Sequence, residues 1–264
     1  MANGLFIQLP GEFSDTTIPK LYRDKLITAG TKFVFDSVDT FSWAKQTAPL
    51  ATDVWINLLD GGATASFGTG IAFDKKAFKL IATGGDIITL PASGIAASDA
   101  DGFAMALWFL PDAPPYGSSI MTAADNFNTL NQYSMTWGES AANWALSVYV
   151  DGQKTDVGFP STLPAATPLQ LGLSYKKRAS DGKYDLNVYK NGVSVRSFIS
   201  AATTIKRPTT LTAPRIGDAP SYGQNGWQGH ILRTWFDDCS IKNAPDLIAL
   251  DYAENLARLT AATV

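Results

Sequence analysis

The sequence predicts an all-β protein, a β-sandwich with one short helix near its carboxyl end. From about residue 103 onward, apolar and polar residues alternate with a period of two, which is typical of strands. Asn-Gly and Asp-Gly pairs, the usual turn residues of tight hairpins, separate these runs. Only three of the 24 acidic residues are glutamates, and aspartate favours turns and caps over helix interiors. Together these features predict many strands, many turns and few helices.

The predicted strands can be placed along the chain from their patterns. Residues 103–110 are apolar at both sets of alternating positions, as expected of a central strand that is covered on both faces. Residues 184–199 predict a half-buried hairpin whose turn is Asn191-Gly192. Further strands are predicted in NQYSMTWG, ALSVYV, PLQLGLSYKK, APRIGD and GWQGHILRTWFDDCSI, and upstream in KFVFDSVDTFSWA, DVWINLLDGGATASF, IAFDKKAFKLIA and DIITLPASG.

The two ends of the chain differ from this strand pattern. Near the carboxyl end, Asn243 suits an N-cap and Pro245 a first turn. They precede apolar residues at helical spacing, which are Leu247, Ile248, Leu250, Ala253, Leu256 and Leu259. At the amino end, residues 1–50 predict an extended arm with a short helix at 19–27. The sandwich is then expected to occupy residues 51–264.

Composition narrows the classes of function. A hydrophobic fraction of 45% and a charged fraction of 17% are typical of a globular protein with a substantial core. A formal net charge of −3 gives no general attraction to nucleic acid. No run of 18 apolar residues predicts membrane insertion, and the first residues lack the features of a secretion signal. With one histidine and one cysteine, the chain cannot form the usual Cys/His zinc site.

Residues 226–239 concentrate reactive side chains, including the single histidine and the single cysteine. If they form one regular strand, Ile231, Arg233, Trp235 and Asp237 lie on one face, with His230, Leu232, Thr234, Phe236 and Asp238 on the other. His230 and Asp238 would then be about 26 Å apart, too far to act as a catalytic pair. We therefore expect a hydrogen-bonded structural or surface histidine, two aspartates that cap a turn, and a cysteine that packs as a small apolar residue.

Longer stretches resemble a known family. The run IAFDKKAFKLIATGGDIITLPASGIAASDADGFAMALWF resembles the opening of a concanavalin A-like (laminin G-like) jelly roll. YDLNVYKNGVSVRS is similar to its hairpin, and RIGDAPSYGQNGWQGHILRTWFDDCSIKNAPDLIALDYAENL to its closing strand and helix. The resemblance covers roughly residues 52–260. The preceding piece, KLITAGTKFVFDSVDTFSWAKQTAPLATDVWINLLDGGATASF, resembles the leaders of bacteriophage virion proteins that carry such a domain.

The resemblance implies candidate sites, which can be compared with the residues present. Glucanases of this fold place carboxylates in an E-x-D-x-E pattern on one strand, and this chain lacks that pattern, so we expect no enzymatic activity. Asp99 and Asp101 predict a turn, or at most a weak Ca²⁺ site, and no cofactor is otherwise expected. Lectins of this fold bind sugars through loop aromatic and Asp/Asn side chains, for which the candidates are Tyr116, Asp218, Tyr222, Asn225 and Trp227. The alternative is that these residues form turns and that Trp227 belongs to the core.

The sequence-based hypothesis for function is a non-enzymatic structural protein of a phage particle, assembled in the host cytoplasm as part of a tail, baseplate or capsid surface. Its partners would be other virion proteins, further copies of itself and, as an option, a host-surface glycan. Attachment would use arm residues that add a strand to a neighbouring sheet, namely Leu5, Phe6, Ile7, Leu9, Phe13, Leu21 and Tyr22. The alternatives are a glycan-binding lectin module and, less favoured, a glycoside hydrolase.

Overall fold

The computed structural model describes residues 23–81, 85–112, 118–125, 131–137, 145–150, 153–158, 167–217 and 227–263. Within these ranges it contains sixteen strands, one turn of 3₁₀ helix at Ala92–Gly94 and one α-helix. The strands are β1 (Thr31–Asp36), β2 (Val54–Trp55), β3 (Ala65–Phe67), β4 (Ala72–Asp74), β5 (Ala77–Ile81), β6 (Ile88–Thr89), β7 (Gly102–Pro111), β8 (Ser118–Ala124), β9 (Asn131–Trp137), β10 (Ala145–Val150), β11 (Gln153–Gly158), β12 (Leu169–Lys177), β13 (Tyr184–Lys190), β14 (Val193–Ile199), β15 (Arg215–Ile216) and β16 (Gln228–Asp237). The helix α1 spans Ala244–Thr263.

Two antiparallel sheets of eight strands each form a β-sandwich, which confirms the predicted fold class. Sheet 1 has the order β14-β13-β12-β7-β16-β5-β4, and β1 also pairs with β16. Sheet 2 has the order β11-β10-β9-β8-β15-β6-β3-β2. Most predicted strands are present, but β8 is a strand that the sequence pattern did not reveal. The single α-helix of the described residues is not long and apolar enough to cross a membrane.

Aromatic side chains fill the space between the sheets. Trp55 and Phe78 meet edge to face with ring centroids 4.8 Å apart. Phe103 stacks on Tyr175 at 4.7 Å. These residues and many aliphatic neighbours are buried in one cluster that both sheets share. Burial of this much apolar surface is the main force that holds the two sheets together.

A β-bulge in β16 changes which of its side chains face the core. The register with β7 shifts between Ile231 and Arg233, so Leu232 is an extra residue. Ile231 and Phe236 therefore both lie in the core between the sheets. Trp235 and Leu232 instead belong to two smaller apolar clusters. The predicted strict alternation along residues 231–238 is wrong for this reason.

The bulge arises where β16 changes partner along one edge. Residues 228–231 pair with β5, whereas residues 233–237 pair with β1. At the junction, the Ser37 backbone N–H and hydroxyl both donate to the carbonyl of Leu232, at 2.8 and 2.9 Å. The extra residue thus allows the long strand β16 to pair with two short strands, β5 and β1, along the same edge.

Helix α1 lies against the outer face of sheet 1, the face turned away from sheet 2. Its buried residues include Leu247 and Ile248, which pack with Ala106 and Trp235 of the sheet. Gly172 of β12 allows this close approach, since a β-carbon there would be 3.1 Å from Ile248. The predicted helix is confirmed, and sheet 1 is consequently covered on both faces.

A buried ionic network joins the helix to the sheet, and Arg233 is at its centre. Its guanidinium contacts the carboxylates of Asp36 at 2.9 Å, Asp251 at 2.8 Å and Asp24 at 2.9 Å. Asp251, on α1, also accepts hydrogen bonds from the Trp108 indole at 2.6 Å and the Gln170 amide at 2.7 Å. The network therefore ties β1, β7, β12, β16 and α1 to one another.

Charge compensation explains how these groups tolerate burial. Burial lowers the pKa of Arg233, but attraction to Asp251, Asp24 and Asp36 outweighs it and holds that pKa above its usual range. Burial raises the pKa of Asp36, but the charges and hydrogen bonds of Arg233 and Arg258 outweigh it and lower that pKa. Both side chains are therefore charged in the folded protein near neutral pH.

The amino-terminal boundary predicted at residue 50 is too late. Strand β1 belongs to sheet 1, and Trp43 is buried in the core between the sheets. Asp24 already contacts the buried Arg233. The sandwich therefore includes residues from Asp24 onward. Of the predicted short helix, residues 23–27 form a turn rather than a helix.

The arm itself can be compared with the structure only in part. All seven residues proposed for attachment, Leu5, Phe6, Ile7, Leu9, Phe13, Leu21 and Tyr22, lie outside the described residues. Attachment through residues 1–22 stays a prediction.

Replacing Arg233 by alanine should lower the free energy of unfolding by about 3–5 kcal/mol, because the substitution leaves buried carboxylates without their counter-charge. Urea denaturation measures this loss. Arg178→Ala is the matched control. Arg178 pairs with Asp181 and Asp185 near the surface, so its loss should cost less than about 1 kcal/mol. Equal losses in the two variants would contradict a central role for Arg233.

Stability should fall in acid, partly through Asp36. Its pKa is 3.8 in the unfolded chain and lower in the fold. Its contribution is therefore complete above pH 3.8 and is lost as the pH falls through the lower folded value. Urea midpoints measured between pH 6 and pH 2 should decline less steeply for Asp36→Asn than for the unsubstituted protein. Parallel declines would show that Asp36 is not part of the acid response.

Candidate functional site

The outer face of sheet 2 carries a row of small hydroxyl side chains across neighbouring strands. Thr122 of β8 is the register partner of Ser134 on β9 and of Arg215 on β15. The row continues through Thr89 on β6 to Ser66 on β3. Cross-strand partners share one face of a sheet. We refer to Ser66, Thr89, Ser119, Thr122, Ser134, Thr136 and Arg215 as the hydroxyl face.

Alternation along the strands places this face opposite the core. On β8, Met121 and Ala123 flank Thr122 and are buried between the sheets. On β9, Tyr133 and Met135 flank Ser134 and are buried in the same cluster. Because successive side chains point to opposite sides, Thr122 and Ser134 point away from sheet 1. Ser119 and Thr136 form a second pair on this face.

Three of these hydroxyls are buried without a hydrogen-bond partner. Thr122 and Ser134 have no exposed surface, and Ser119 is 1% exposed. The oxygen atoms of all three lack a partner in the structure. Buried polar atoms are normally paired, and leaving one unpaired costs about 1–3 kcal/mol. Five other buried groups of the described residues, on Trp55, Trp227, His230, Arg233 and Trp235, lack a partner as well. What distinguishes the three hydroxyls is that they lie together on one face of sheet 2.

The chemistry of this face suits a ligand that is rich in hydroxyl groups. A serine or threonine hydroxyl donates one hydrogen bond and accepts up to two. The same is true of a sugar hydroxyl, so the two can pair in either direction. Arg215 and Thr136 also interact with other residues of the protein. Both are therefore part of the packed structure of this face.

The sequence-predicted glycan residues are placed only in part. Trp227 is fully buried and packs edge to face against Phe109, with ring centroids 5.9 Å apart. It is therefore a core residue and not an exposed platform for a sugar, in agreement with the alternative considered for it. The other four, Tyr116, Asp218, Tyr222 and Asn225, lie outside the described residues.

The strands that flank these four residues in sequence are neighbours. Strand β8 begins two residues after Tyr116, and β15 ends two residues before Asp218. The two strands are antiparallel partners, with Ile216 opposite Met121. The Gly217 N–H donates to the Ile120 carbonyl at 2.8 Å. The start of β8 and the end of β15 therefore lie at the same end of sheet 2, beside Ser119.

His230 lies on the other sheet and is enclosed by charged residues. It is 2% exposed, and its Nε2 contacts the carboxylate of Asp74 on β4. Its Nδ1 lies 3.5 Å from Asp112. Lys79 lies 3.7 Å from Asp74 and 3.8 Å from Asp112. Both ring nitrogens of His230 thus face carboxylates, whose charge Lys79 also compensates. This arrangement supports the predicted structural role of His230.

The acidic pair after His230 caps the end of β16, also as predicted. Asp237 accepts hydrogen bonds from the hydroxyls of Thr28 and Thr31 at 2.9 and 2.8 Å. Asp238 forms an ion pair with Lys32 at 2.6 Å and accepts the N–H of Ser240 at 2.9 Å. These aspartates therefore hold the amino-terminal segment against the sheet.

The structure offers no clear metal site in the part of the chain that it describes. There, no three His, Cys, Asp or Glu side chains are grouped so that they could hold an ion. Asp99 is exposed, and the Asp101 backbone carbonyl accepts the N–H of Lys177 at 2.7 Å. The weak Ca²⁺ site at these two residues stays a prediction.

Sequence reasoning missed the hydroxyl face for an identifiable reason. The serines and threonines of β8 and β9 look like ordinary polar positions, and the strand pattern of β8 was not recognised. Only the pairing of β8 with β9 and β15 shows that Thr122, Ser134 and Arg215 form one row. The one signal in the sequence is the occurrence of small hydroxyl residues at alternate positions of neighbouring strands.

Comparison with known proteins identifies the fold. No protein-family model matches the sequence, and no curated protein matches it either. Among solved structures, the chain is similar to Trypanosoma rangeli sialidase, with a TM-score of 0.55 and 11% identity over 88% of this chain and 34% of that one. It is also similar to domain 4 of AbnA, a GH43 extracellular arabinanase from Geobacillus stearothermophilus, in complex with arabinotriose. There the TM-score is 0.51 and the identity 15%, over 83% of this chain and 96% of that one.

A third similar structure is that of botulinum neurotoxin type C, whose cell entry depends on interaction with two ganglioside molecules. The TM-score is 0.52 and the identity 12%, over 79% of this chain and 50% of that one. The chain thus spans about a third of the sialidase chain and half of the neurotoxin chain. At these identities the likeness concerns the fold. The chain has a concanavalin A-like β-sandwich fold, as the sequence resemblance implied.

Proposed function

We propose that this protein is a non-catalytic carbohydrate-binding module whose ligand lies against the hydroxyl face of sheet 2. The observation that carries the proposal is the group of three buried, unpaired hydroxyls on Ser119, Thr122 and Ser134. Sugar hydroxyls would satisfy them and recover the cost of leaving them unpaired. In this proposal the three hydroxyls form the floor of the site.

The loops predicted from the sequence would form the rim of the same site. Tyr116 precedes β8, and residues 218–225 follow β15, at the end of the sheet where Ser119 lies. Aromatic rings and Asp/Asn side chains at that end would complement the hydroxyl floor. The arabinotriose bound to AbnA domain 4 and the gangliosides needed by the neurotoxin support a glycan as the class of ligand.

The described residues of the hydroxyl face favour binding without catalysis. The row from Ser66 to Ser134 carries no carboxylate pair with which to hydrolyse a glycosidic bond. Asp125, which directly follows β8, is committed to the loop at 209–211. Its carboxylate accepts the hydroxyl of Thr210 at 2.7 Å and the N–H of Leu211 at 2.7 Å.

The role in a phage particle has no comparable support. The similar structures favour the glycan-binding alternative over the virion role. Attachment through the arm, assembly into homo-oligomers and location in a virion stay predictions from the sequence. A virion protein could also bind a glycan, so the two roles do not exclude one another.

Thr122→Val should weaken binding without harming the fold. Valine keeps the shape of threonine but removes the unpaired hydroxyl, so the free energy of unfolding should stay the same or rise by up to about 1 kcal/mol. Affinity for the best ligand found on a glycan array should fall about tenfold, or about 1.4 kcal/mol. Isothermal titration and urea denaturation measure the two quantities.

Thr234→Val is the matched control on sheet 1. The hydroxyl of Thr234 donates to the Ala106 carbonyl at 3.1 Å, so its loss should cost about 1 kcal/mol of stability and leave sugar binding unchanged. Asp218→Ala and Tyr222→Ala test the rim in the same titration. Unchanged affinity in Thr122→Val, or no saturable binding to any arrayed glycan, would refute the proposal. Release of reducing ends from the bound glycan would refute its non-catalytic part.

A further inference from the structure

Exposed apolar side chains are concentrated near the point where the described part of the chain begins. Nine large apolar side chains of the described residues are exposed. Four of the nine fall between residues 41 and 56: Phe41 is 40% exposed, Leu50 64%, Val54 45% and Ile56 37%. Single exposed apolar residues are ordinary, whereas a group of them marks a surface that another segment or molecule covers. We refer to these four residues as the apolar patch.

The patch lies on the strand that ends sheet 2. Trp55 of β2 is buried in the core between the sheets, so Val54 and Ile56 on either side of it point outward. Val54 is the register partner of Ser66, the last residue of the hydroxyl row. The patch therefore adjoins the hydroxyl face at the β2 end of sheet 2.

Two backbone hydrogen bonds bring the other two members of the patch to the same region. The Ile56 N–H donates to the Ser42 carbonyl at 3.0 Å, which places Phe41 in the segment beside Ile56. The Asp53 N–H donates to the Leu50 carbonyl at 2.9 Å, which closes the turn that leads into β2. The four side chains thus belong to one surface region.

The first described residue is held against this patch. The guanidinium carbon of Arg23 lies 3.5 Å from the centroid of the Phe41 ring, and the Arg23 Nε is 3.7 Å from the carboxylate of Asp60. The following residue, Asp24, is fixed by its contact with the buried Arg233 at 2.9 Å. The chain outside the described residues therefore ends at the rim of the patch.

The segment that ends there carries apolar residues at close range. Residues 16–22 read TTIPKLY, and Ile18, Leu21 and Tyr22 are its apolar members. Consecutive Cα atoms are about 3.8 Å apart, so the Cα atom of Leu21 lies within about 8 Å of that of Arg23. A segment tethered over so short a distance meets a surface at an effective concentration on the order of millimolar, which a second copy in dilute solution does not reach.

We propose that the apolar patch is the docking surface for residues 18–22 of the same chain. Ile18, Leu21 and Tyr22 supply the apolar contacts, and removal of both surfaces from water drives the docking. Leu21 and Tyr22 are then committed to their own domain. Attachment to another protein through the arm falls to residues 1–17, which start from the β2 end of sheet 2. The proposal does not depend on carbohydrate binding at the hydroxyl face.

A double-mutant cycle on urea midpoints tests the docking in the full-length protein. Leu21→Ser/Tyr22→Ser removes apolar groups from the segment, and Leu50→Ser/Val54→Ser removes them from the patch. The segment variant should lower the urea midpoint by about 0.5 M when the patch is intact. It should lower the midpoint by less than about 0.1 M when the patch is already substituted, because the contact is then lost in either case.

Val193→Ser/Ile199→Ser is the matched control for the patch variant. These two residues lie on β14, the strand that ends sheet 1. They are 65% and 47% exposed, close to the 64% and 45% of Leu50 and Val54. In this background the segment variant should lower the midpoint by its full amount, since distant sites act additively. A single cooperative transition in each variant establishes that it is folded.

Amide hydrogen exchange provides a second readout that does not rely on global stability. Docking covers residues 50–56, so exchange there should be at least about threefold faster in the Leu21→Ser/Tyr22→Ser variant than in the unsubstituted protein. Exchange in residues 193–199 should be the same in the two proteins. Mass spectrometry of peptides from both regions measures the difference.

Sedimentation velocity distinguishes the chain's own segment from that of a second copy. A non-additive cycle in a protein that stays monomeric supports the proposal. Additive losses, equal non-additivity with the β14 control, or unchanged exchange in residues 50–56 would overturn it. A dimer that forms with rising concentration and is lost in Leu21→Ser/Tyr22→Ser would overturn it as well, because the segment would then dock on another copy. Titration of Thr122→Val with a glycan reports on the hydroxyl face alone, so the two proposals can fail separately.

Discussion

The arrangement of sheet 1 depends on the buried ionic network around Arg233. One guanidinium contacts carboxylates from the amino-terminal segment, from β1 and from α1. Such a group is stable inside a protein only while all its partners are present, because each lost partner leaves a charge that water cannot reach. The network therefore couples elements that are more than two hundred residues apart in sequence, and the sandwich gains a fixed outer layer over its first sheet.

This outer layer gives the two sheets different roles. Helix α1 and the network cover the outer face of sheet 1, where Asp36, Gln170 and Asp251 are paired with protein partners. On the outer face of sheet 2, Ser119, Thr122 and Ser134 keep hydroxyls that have no such partner. In the proposed function, stability and binding would therefore depend on opposite sides of the molecule. Substitutions such as Thr122→Val and Thr234→Val can separate them for that reason.

The cluster of reactive side chains in residues 226–239 serves the scaffold. Its members work with distant residues: His230 with Asp74 and Asp112, and Arg233 with three aspartates.

Local periodicity and turn residues are enough to predict the fold class, most strands and the carboxyl-terminal helix, because each of these features depends on residues that are close together in the chain. The Asn191-Gly192 turn is an example: both residues have the positive φ that such a turn requires. The face on which each β16 side chain lies was decided only by tertiary structure, since the bulge at Leu232 depends on two partner strands that are distant in sequence. The hydroxyl row and the Arg233 network likewise depend on contacts between residues that are distant in sequence. Their residues become neighbours only when strands pair, and no local pattern records that pairing.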